Sequence, residues 1–164
     1  MAKIAVVYHS GYGHTAKLAE AVAEGAKRGG GDVALLKADD LSTPDEGPWD
    51  DLNSADAIIF GAPTYMGSAS AGFKAFQDAT SKVWMKQGWA DKLAAGFSNS
   101  GSVSGDKLNT LQQFAILAAQ HGMLWVGSAE PSGFNMKEHT WADATNRGGY
   151  WLGVGAHSPV DASP

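Results

Sequence analysis

Apolar and polar positions alternate along this chain with a period that changes several times, and each change marks an element. KIAVVY (Lys3 to Tyr8) is a continuous β-branched and apolar run, the composition of a strand buried on both faces. After a short loop, Leu18, Ala19, Val22, Ala23 and Ala26 recur at helical spacing with Lys17, Glu20, Glu24 and Lys27 between them. Glycines 29–31 end that helix, and DVALLKA (Asp32 to Ala38) reads as a second strand. DDLSTPDEGPWDDLNS is loop with one helical turn near Trp49 to Asn53. DAIIFGA (Asp56 to Ala62) is a third strand, stopped by Pro63, whose predecessor must stay extended. A helix follows from about Ala71 to Gln87, with Phe73, Phe76, Val83 and Trp84 as its buried residues. KLAAGFSN (Lys92 to Asn99) is the fourth strand, Asp106 to His121 the next helix and MLWVGS (Met123 to Ser128) the fifth strand. Strands that alternate with helices imply a parallel sheet covered on both faces, with right-handed crossovers.

Composition narrows the class. With 164 residues the chain suits one α/β domain spanning 1–164, and is too short for a nucleotide domain plus a separate substrate domain. A net charge of −5, with 18% charged residues and no basic block, offers nothing to nucleic acid or an anionic membrane. The chain has no cysteine, which removes disulfides, thiolate catalysis and thiolate metal sites together. No apolar stretch is long enough to span a bilayer, and Lys3 leads into a strand rather than a signal-peptide core, so a cytoplasmic protein is expected.

Candidate chemistry begins at YHSGYGHTA (Tyr8 to Ala16), where the first strand ends in hydroxyls and glycines and a helix starts at once. A helix N-terminus carries free N–H groups and partial positive charge, so a loop aimed at it favours an anion. The loop has no Lys or Arg, so a phosphate there would be held by amides, hydroxyls and the helix dipole. Two patterns compete for it. GYGHTA fits the dinucleotide fingerprint, with Asp39 or Asp40 at about the 20-residue interval it requires. The same residues fit the S-x-Y-G-H-T phosphate loop of flavodoxin-like proteins. In an open parallel sheet the ligand lies beyond the carboxyl ends of the strands, where strand order reverses. The loops after the third and fourth strands, PTYMGSASAG (Pro63 to Gly72) and SNSGSVSG (Ser98 to Gly105), are also rich in glycine and hydroxyls. A response-regulator receiver shares the topology but needs acidic residues at the end of its first strand, which here ends in Tyr8, His9 and Ser10.

SGYGHT, GAPTYMG, the SNSGS loop and QHGM (Gln120 to Met123) resemble the flavodoxin-like flavoproteins, most of all the WrbA-type NAD(P)H:quinone oxidoreductases, over nearly the whole chain. The resemblance implies a doubly wound five-stranded parallel sheet of order 2-1-3-4-5. It implies that Ser10, Tyr12, Gly13, His14 and Thr15 hold the phosphate of FMN. Pro63, Thr64, Tyr65, Met66 and Gly67 would line one side of the isoalloxazine, with Ser98, Asn99, Ser100, Gly101 and Ser102 along the other. His121 matches a family histidine near the ring, a candidate catalytic group that hydrogen-bonds or protonates the quinone oxygen, and Trp84 matches an active-site tryptophan; both are candidate substrate contacts. The implied reaction is ping-pong: NADH or NADPH reduces FMN, and a quinone or free flavin takes the two electrons. Tyr65-Met66 replaces the usual Arg-Phe, and Val103, Ser104 and Asp106 replace a glycine-rich stretch, which bears on substrate and nicotinamide preference.

Two other readings stay open: a flavodoxin in the strict sense, carrying single electrons to protein partners, and an NAD-binding Rossmann module. His9 and His14 lack a convergent carboxylate for a metal site, and His139 and His157 have no partner pattern. The segment from Pro131 to Ser158 is too long for an ordinary connection, and its GGYWLGVGA suggests a further short strand. In the resembled family an excursion here contributes to a homo-oligomer, a dimer or tetramer. The sequence ends at PVDASP, where this fold ordinarily has one more helix. Without it, part of one sheet face is expected to be bare, to be covered by a partner or by chain missing from the sequence.

Overall fold

The structure, a computed structural model, describes residues 1–133 and 136–164. β1 (Lys3–Tyr8) lies at the centre of the sheet, parallel to β2 (Asp32–Lys37) on one side and to β3 (Ala57–Tyr65) on the other. β3 folds back through the two-residue β4 (Ser68–Ala69). β5 (Leu93–Ser100) then joins β3 in parallel, and β6 (Leu124–Trp125) joins β5. The path is β2-β1-β3-β5-β6, the expected 2-1-3-4-5 order once the β4 return is set aside.

Two strands differ from expectation. β3 does not stop at Pro63 but runs through it, with Pro63 paired in register to Asn99. β1 has ended by then, its last contact being the His9 amide on the Gly61 carbonyl at 3.0 Å. The N–H that proline lacks therefore falls on an edge β1 has vacated, where the returning Ser70 amide donates to the Pro63 carbonyl at 3.2 Å. The fifth strand is split: β6 pairs only the first half of β5, and β7 (Val154–His157) returns to pair Phe97 to Ser100. Gly153 permits this return, because a Cβ there would lie 2.4 Å from the Gly96 carbonyl oxygen. The Trp125 indole donates to the Leu152 carbonyl at 2.9 Å and ties the two halves together.

α1 (His14–Arg28) covers one face of the sheet over Val6, Tyr8 and Phe97. α2 (Trp49–Ser54), α3 (Ala71–Ala79), the short α4 (Ser81–Met85) and α5 (Lys107–Gln120) lie on the other. There Phe60, Phe73, Phe76 and Phe114 form one aromatic core, with Phe73 and Phe114 ring centres 4.7 Å apart. The helix expected from Ala71 to Gln87 breaks at Thr80, whose hydroxyl donates to the Gln77 carbonyl at 2.7 Å. Val83 beyond the break packs on the core, whereas Trp84, expected to be buried, is 48% exposed.

The α1 side has an uncovered strip. Leu93 and Leu124 are register partners, as are Phe97 and Val154, so Leu93, Leu124, Val126 and Val154 face the α1 side. All four are exposed. No helix among the described residues is long and apolar enough to cross a membrane.

Candidate functional site

Above the carboxyl ends of β1, β3 and β5 lies a cavity of about 780 Å³, within the range of small-molecule sites. Its first wall is the β1–α1 turn. Gly13 stands there at φ 92°, a left-handed conformation that glycine adopts without strain. Ser10 Oγ accepts hydrogen bonds from the Gly13 and Ala16 amides, both at 3.1 Å, which leaves its own proton free to be donated. His14 and Thr15, the first two residues of α1, carry amides that precede any intrahelical acceptor. Thr15 is 2% exposed and lines the cavity, yet its hydroxyl forms no hydrogen bond among the described residues. A hydroxyl that is open to the cavity and unpartnered among the described residues, beside free amides, fits a phosphate, and the cavity lining contains no lysine, arginine or acidic side chain.

The second wall is the β3–β4 hairpin. Met66 and Gly67 both have positive φ, at 48° and 84°, as a two-residue turn of the primed kind requires. Met66 is an unbranched but non-glycine residue held in a strained region, and its side chain is fully exposed at the cavity mouth. Asn109 holds the turn by donating to the Gly67 carbonyl at 2.6 Å. Tyr65 meets Tyr12 edge to face at 6.1 Å, closing the gap between the first two walls. Desolvation, with Tyr12 beside it, raises the Tyr65 phenol above its ordinary value.

The third wall is the end of β5. Asn99 exchanges two hydrogen bonds with Ser158, at 2.8 and 3.1 Å, and so pins the segment after β7 to the site. Beneath the walls runs a buried hydroxyl chain. Thr64 Oγ1 lies 2.7 Å from both Thr110 Oγ1 and Ser98 Oγ, and Ser98 donates onward to the Ala62 carbonyl at 2.9 Å. With its proton committed to Ala62, Ser98 must accept from Thr64, which in turn accepts from Thr110. The chain locks β3, β5 and α5 together under the cavity floor.

Of the expected cofactor residues, the structure brings Ser10, Tyr12, His14, Thr15, Pro63, Thr64, Tyr65, Met66, Asn99, Ser100 and Gly101 to the cavity. Gly13 shapes the turn, Gly67 shapes the hairpin and Ser98 lies wholly buried in the hydroxyl chain. Ser102 lines none of the cavity; its carbonyl accepts from Lys107. Ser158, Val160, Ala162 and Pro164 line it without having been expected. Their place depends on β7 pairing with β5, and nothing in PVDASP signals it.

His121 and Trp84 are not brought to this cavity. α5 starts at the cavity rim and runs about 20 Å along the sheet, at 1.5 Å per residue, so His121 at its far end lies at the opposite rim. There the imidazole is 1% exposed, tilted 33° against Trp89 at 4.6 Å, with Nε2 2.9 Å from Thr80 Oγ1. Thr80 spends its proton on Gln77, so it accepts from His121 Nε2–H, and Nδ1 is left buried without a partner among the described residues. Burial holds this histidine down at about 4, so it is neutral at neutral pH, and it does not line the cavity. The histidine that the family resemblance offers as a catalytic group lies at a helix end packed on tryptophan.

Comparison with known proteins agrees with this geometry. The model of the family described as NADPH-dependent FMN reductase matches residues 2–133. The chain is 44% identical to flavodoxin FldP of Pseudomonas aeruginosa, over 99% of this chain and 84% of that one. It is 34% identical to an NAD(P)H dehydrogenase (quinone) of Archaeoglobus fulgidus, over 77% of this chain and 76% of that one. Among solved structures, a WrbA-like flavodoxin from Agrobacterium tumefaciens superposes with a TM-score of 0.70 at 54% identity, covering 77% of each chain.

Proposed function

This chain belongs to the NADPH-dependent FMN reductase family, and on that footing we propose that it uses FMN to pass two electrons from NADH or NADPH to a quinone or free flavin, in two successive half-reactions. The observation that carries the reading is the cavity itself: one end presents free helix amides and the Thr15 hydroxyl, unpartnered among the described residues, and the rest is a slot between two loops. FMN, when bound, supplies a ring that accepts two electrons from one substrate and yields them to the next.

The chain supplies position and electrostatics. Ser10, Thr15 and the α1 amides hold the phosphate without a lysine or arginine, which suits a cofactor retained through many turnovers. The Met66–Gly67 turn and Asn99 to Gly101 flank the ring, and the Thr64–Ser98–Thr110 hydroxyl chain keeps the two flanks at a constant separation. Tyr12, Tyr65 and Met66 leave an apolar mouth on which a flat acceptor can stack. His121 takes no part in this reading.

The 44% identical relative bears the name flavodoxin, which favours a second reading, a carrier that binds FMN and hands single electrons to a protein. Purified protein separates the two. NADH and NADPH oxidation with benzoquinone is measured at catalytic protein concentration, alongside the flavin spectrum. A flavin spectrum with many turnovers supports the reductase; flavin without turnover moves the assignment to the carrier. Nicotinamide binding with no flavin affinity removes both.

The same reading includes a homo-oligomer, dimer or tetramer, in which the exposed Trp84 meets substrate in the cavity of a second copy. Sedimentation of the protein as a monomer at micromolar concentration would remove that part and leave the cofactor assignment intact.

A further inference from the structure

Lys107 opens α5 and is wholly buried. Its Nζ donates to Ser100 Oγ and to the Ser102 carbonyl, each at 2.7 Å, and stands 6.0 Å from the centre of the Tyr150 ring. None of the ion pairs among the described residues includes it. Lysine is almost never fully buried without a partner, because its charge loses water and gains no counter-ion. The groups packed on it are few. Ser100 ends β5 and Ser102 lies in the loop after it, and Tyr150, whose hydroxyl donates to the Ser104 carbonyl at 2.6 Å, comes from the segment before β7. Asp106, the residue before α5, has a carboxylate oxygen 4.0 Å from where a Cβ on Gly67 would stand. Desolvation lowers the ammonium from 10.5 to about 8, so it is still charged at neutral pH.

Ser100 lines the cavity, so this cation stands one hydroxyl behind a wall that holds no other lysine or arginine. We infer that Lys107 is a positioning residue for the flavin, holding the 100–102 loop to the ring and, through its buried charge, favouring the reduced flavin over the oxidised one. The inference rests on the FMN reading above. A hydride from NADH or NADPH brings two electrons and one proton, so the ring gains one negative charge unless a second proton follows. A fixed positive charge in a poorly solvated wall stabilises that charge and acts little on the neutral oxidised ring.

Lys107→Gln keeps a donor for Ser100 and Ser102 and removes the charge; Lys107→Met removes both. The dissociation constant of oxidised FMN and the two-electron potential of bound FMN are measured for each and for the wild type. Both variants are expected to bind reduced FMN about tenfold more weakly relative to oxidised FMN, a potential lower by about 30 mV for a two-electron couple. Lys107→Gln is expected to keep oxidised FMN affinity within about twofold of the wild type, since its amide can still donate to both Ser100 and Ser102 and the neutral oxidised ring gains little from the lost charge. Unchanged potentials in folded variants, or equal weakening of both flavin forms, would overturn the inference in favour of a purely structural lysine. Wild-type protein gives an independent reading should the variants not fold. Its potential, falling by about 30 mV per pH unit when one proton accompanies two electrons, should fall about half as steeply again just above pH 8, where reduction adds a fraction of a proton to Lys107. A constant slope through that range overturns the inference, whereas a wild type that binds no FMN overturns the cofactor reading itself.

Discussion

Ser10 and Thr15 divide the work of anion binding between them. Ser10 Oγ spends both lone pairs on the turn, accepting from Gly13 and Ala16, and so orders the loop as well as offering a proton. Thr15 has nothing else to bind among the described residues. Combining Ser10→Ala with Thr15→Val should weaken FMN by roughly 2–4 kcal/mol, taking about 1–2 for each charge-assisted hydrogen bond lost. Titration of the apo-protein with FMN checks this, and an unaltered affinity would place the phosphate elsewhere. His121 makes a prediction about stability. Its folded value of about 4 lies below the 6.5 of an exposed histidine, so between those pH values the unfolded chain binds the proton that the folded chain refuses. Stability should therefore rise as pH goes from 4 to 6.5, by roughly 2–3 kcal/mol from this residue. Urea unfolding at several pH values, with His121→Phe for comparison, tests it: the variant should lose that part of the slope. Equal slopes would mean that the imidazole is solvated in the folded protein.

Elements meet the site through their ends. α1 begins at the cavity because Gly13 can hold φ 92°, and a Cβ there would also lie 2.7 Å from Pro164 Cγ. Gly13→Ala should cost about 1–2 kcal/mol for the left-handed backbone and more where the terminal segment is displaced. Thermal unfolding of the apo-protein should register the first part and FMN titration the second; a variant matching the wild type in both would show that the turn has another conformation available. The β3–β4 hairpin uses the opposite device, forcing the non-glycine Met66 to φ 48° and fixing the turn with Asn109. Strain at Met66 is sustained by the pairing of Thr64 with Ala69 and Tyr65 with Ser68, and it sets a fully exposed side chain at the cavity mouth.

The molecule as a whole presents two unlike faces. Four helices cover the aromatic core on one side, while α1 by itself leaves Leu93, Leu124, Val126 and Val154 exposed on the other. Trp84 is half exposed at the rim remote from the cavity, so the arrangement inside one chain makes a definite forecast. Trp84→Ala should leave the FMN dissociation constant within about twofold, as expected for a surface residue away from the site. If a second copy presents this ring to substrate, the same variant should raise the KM for benzoquinone several-fold. Steady-state kinetics decide: an unchanged KM would remove Trp84 from the substrate site, and a large loss of FMN would contradict the single-chain cavity.

The succession of strands and helices and the three hydroxyl-rich loops are legible in the chain because each rests on local chemistry, whereas the order of strands in the sheet came with the family resemblance. A β-branched run, a helical repeat and a glycine-hydroxyl turn mean the same thing wherever they occur. That is why Ser10 and Thr15 can be named before any coordinates, while Thr64 and Asn99 follow from the family resemblance. What only the folded chain decided is non-local. Pro63 continues a strand because β1 has already ended beside it, and β7 completes a strand that β6 abandons. Residues 158–164 reach the cavity through that pairing, and Lys107 is buried behind Ser100 because α5 starts where β5 stops. His121 sits at the end of the same helix, on the rim opposite the cavity, as a helix that carries the chain back between two parallel strands requires.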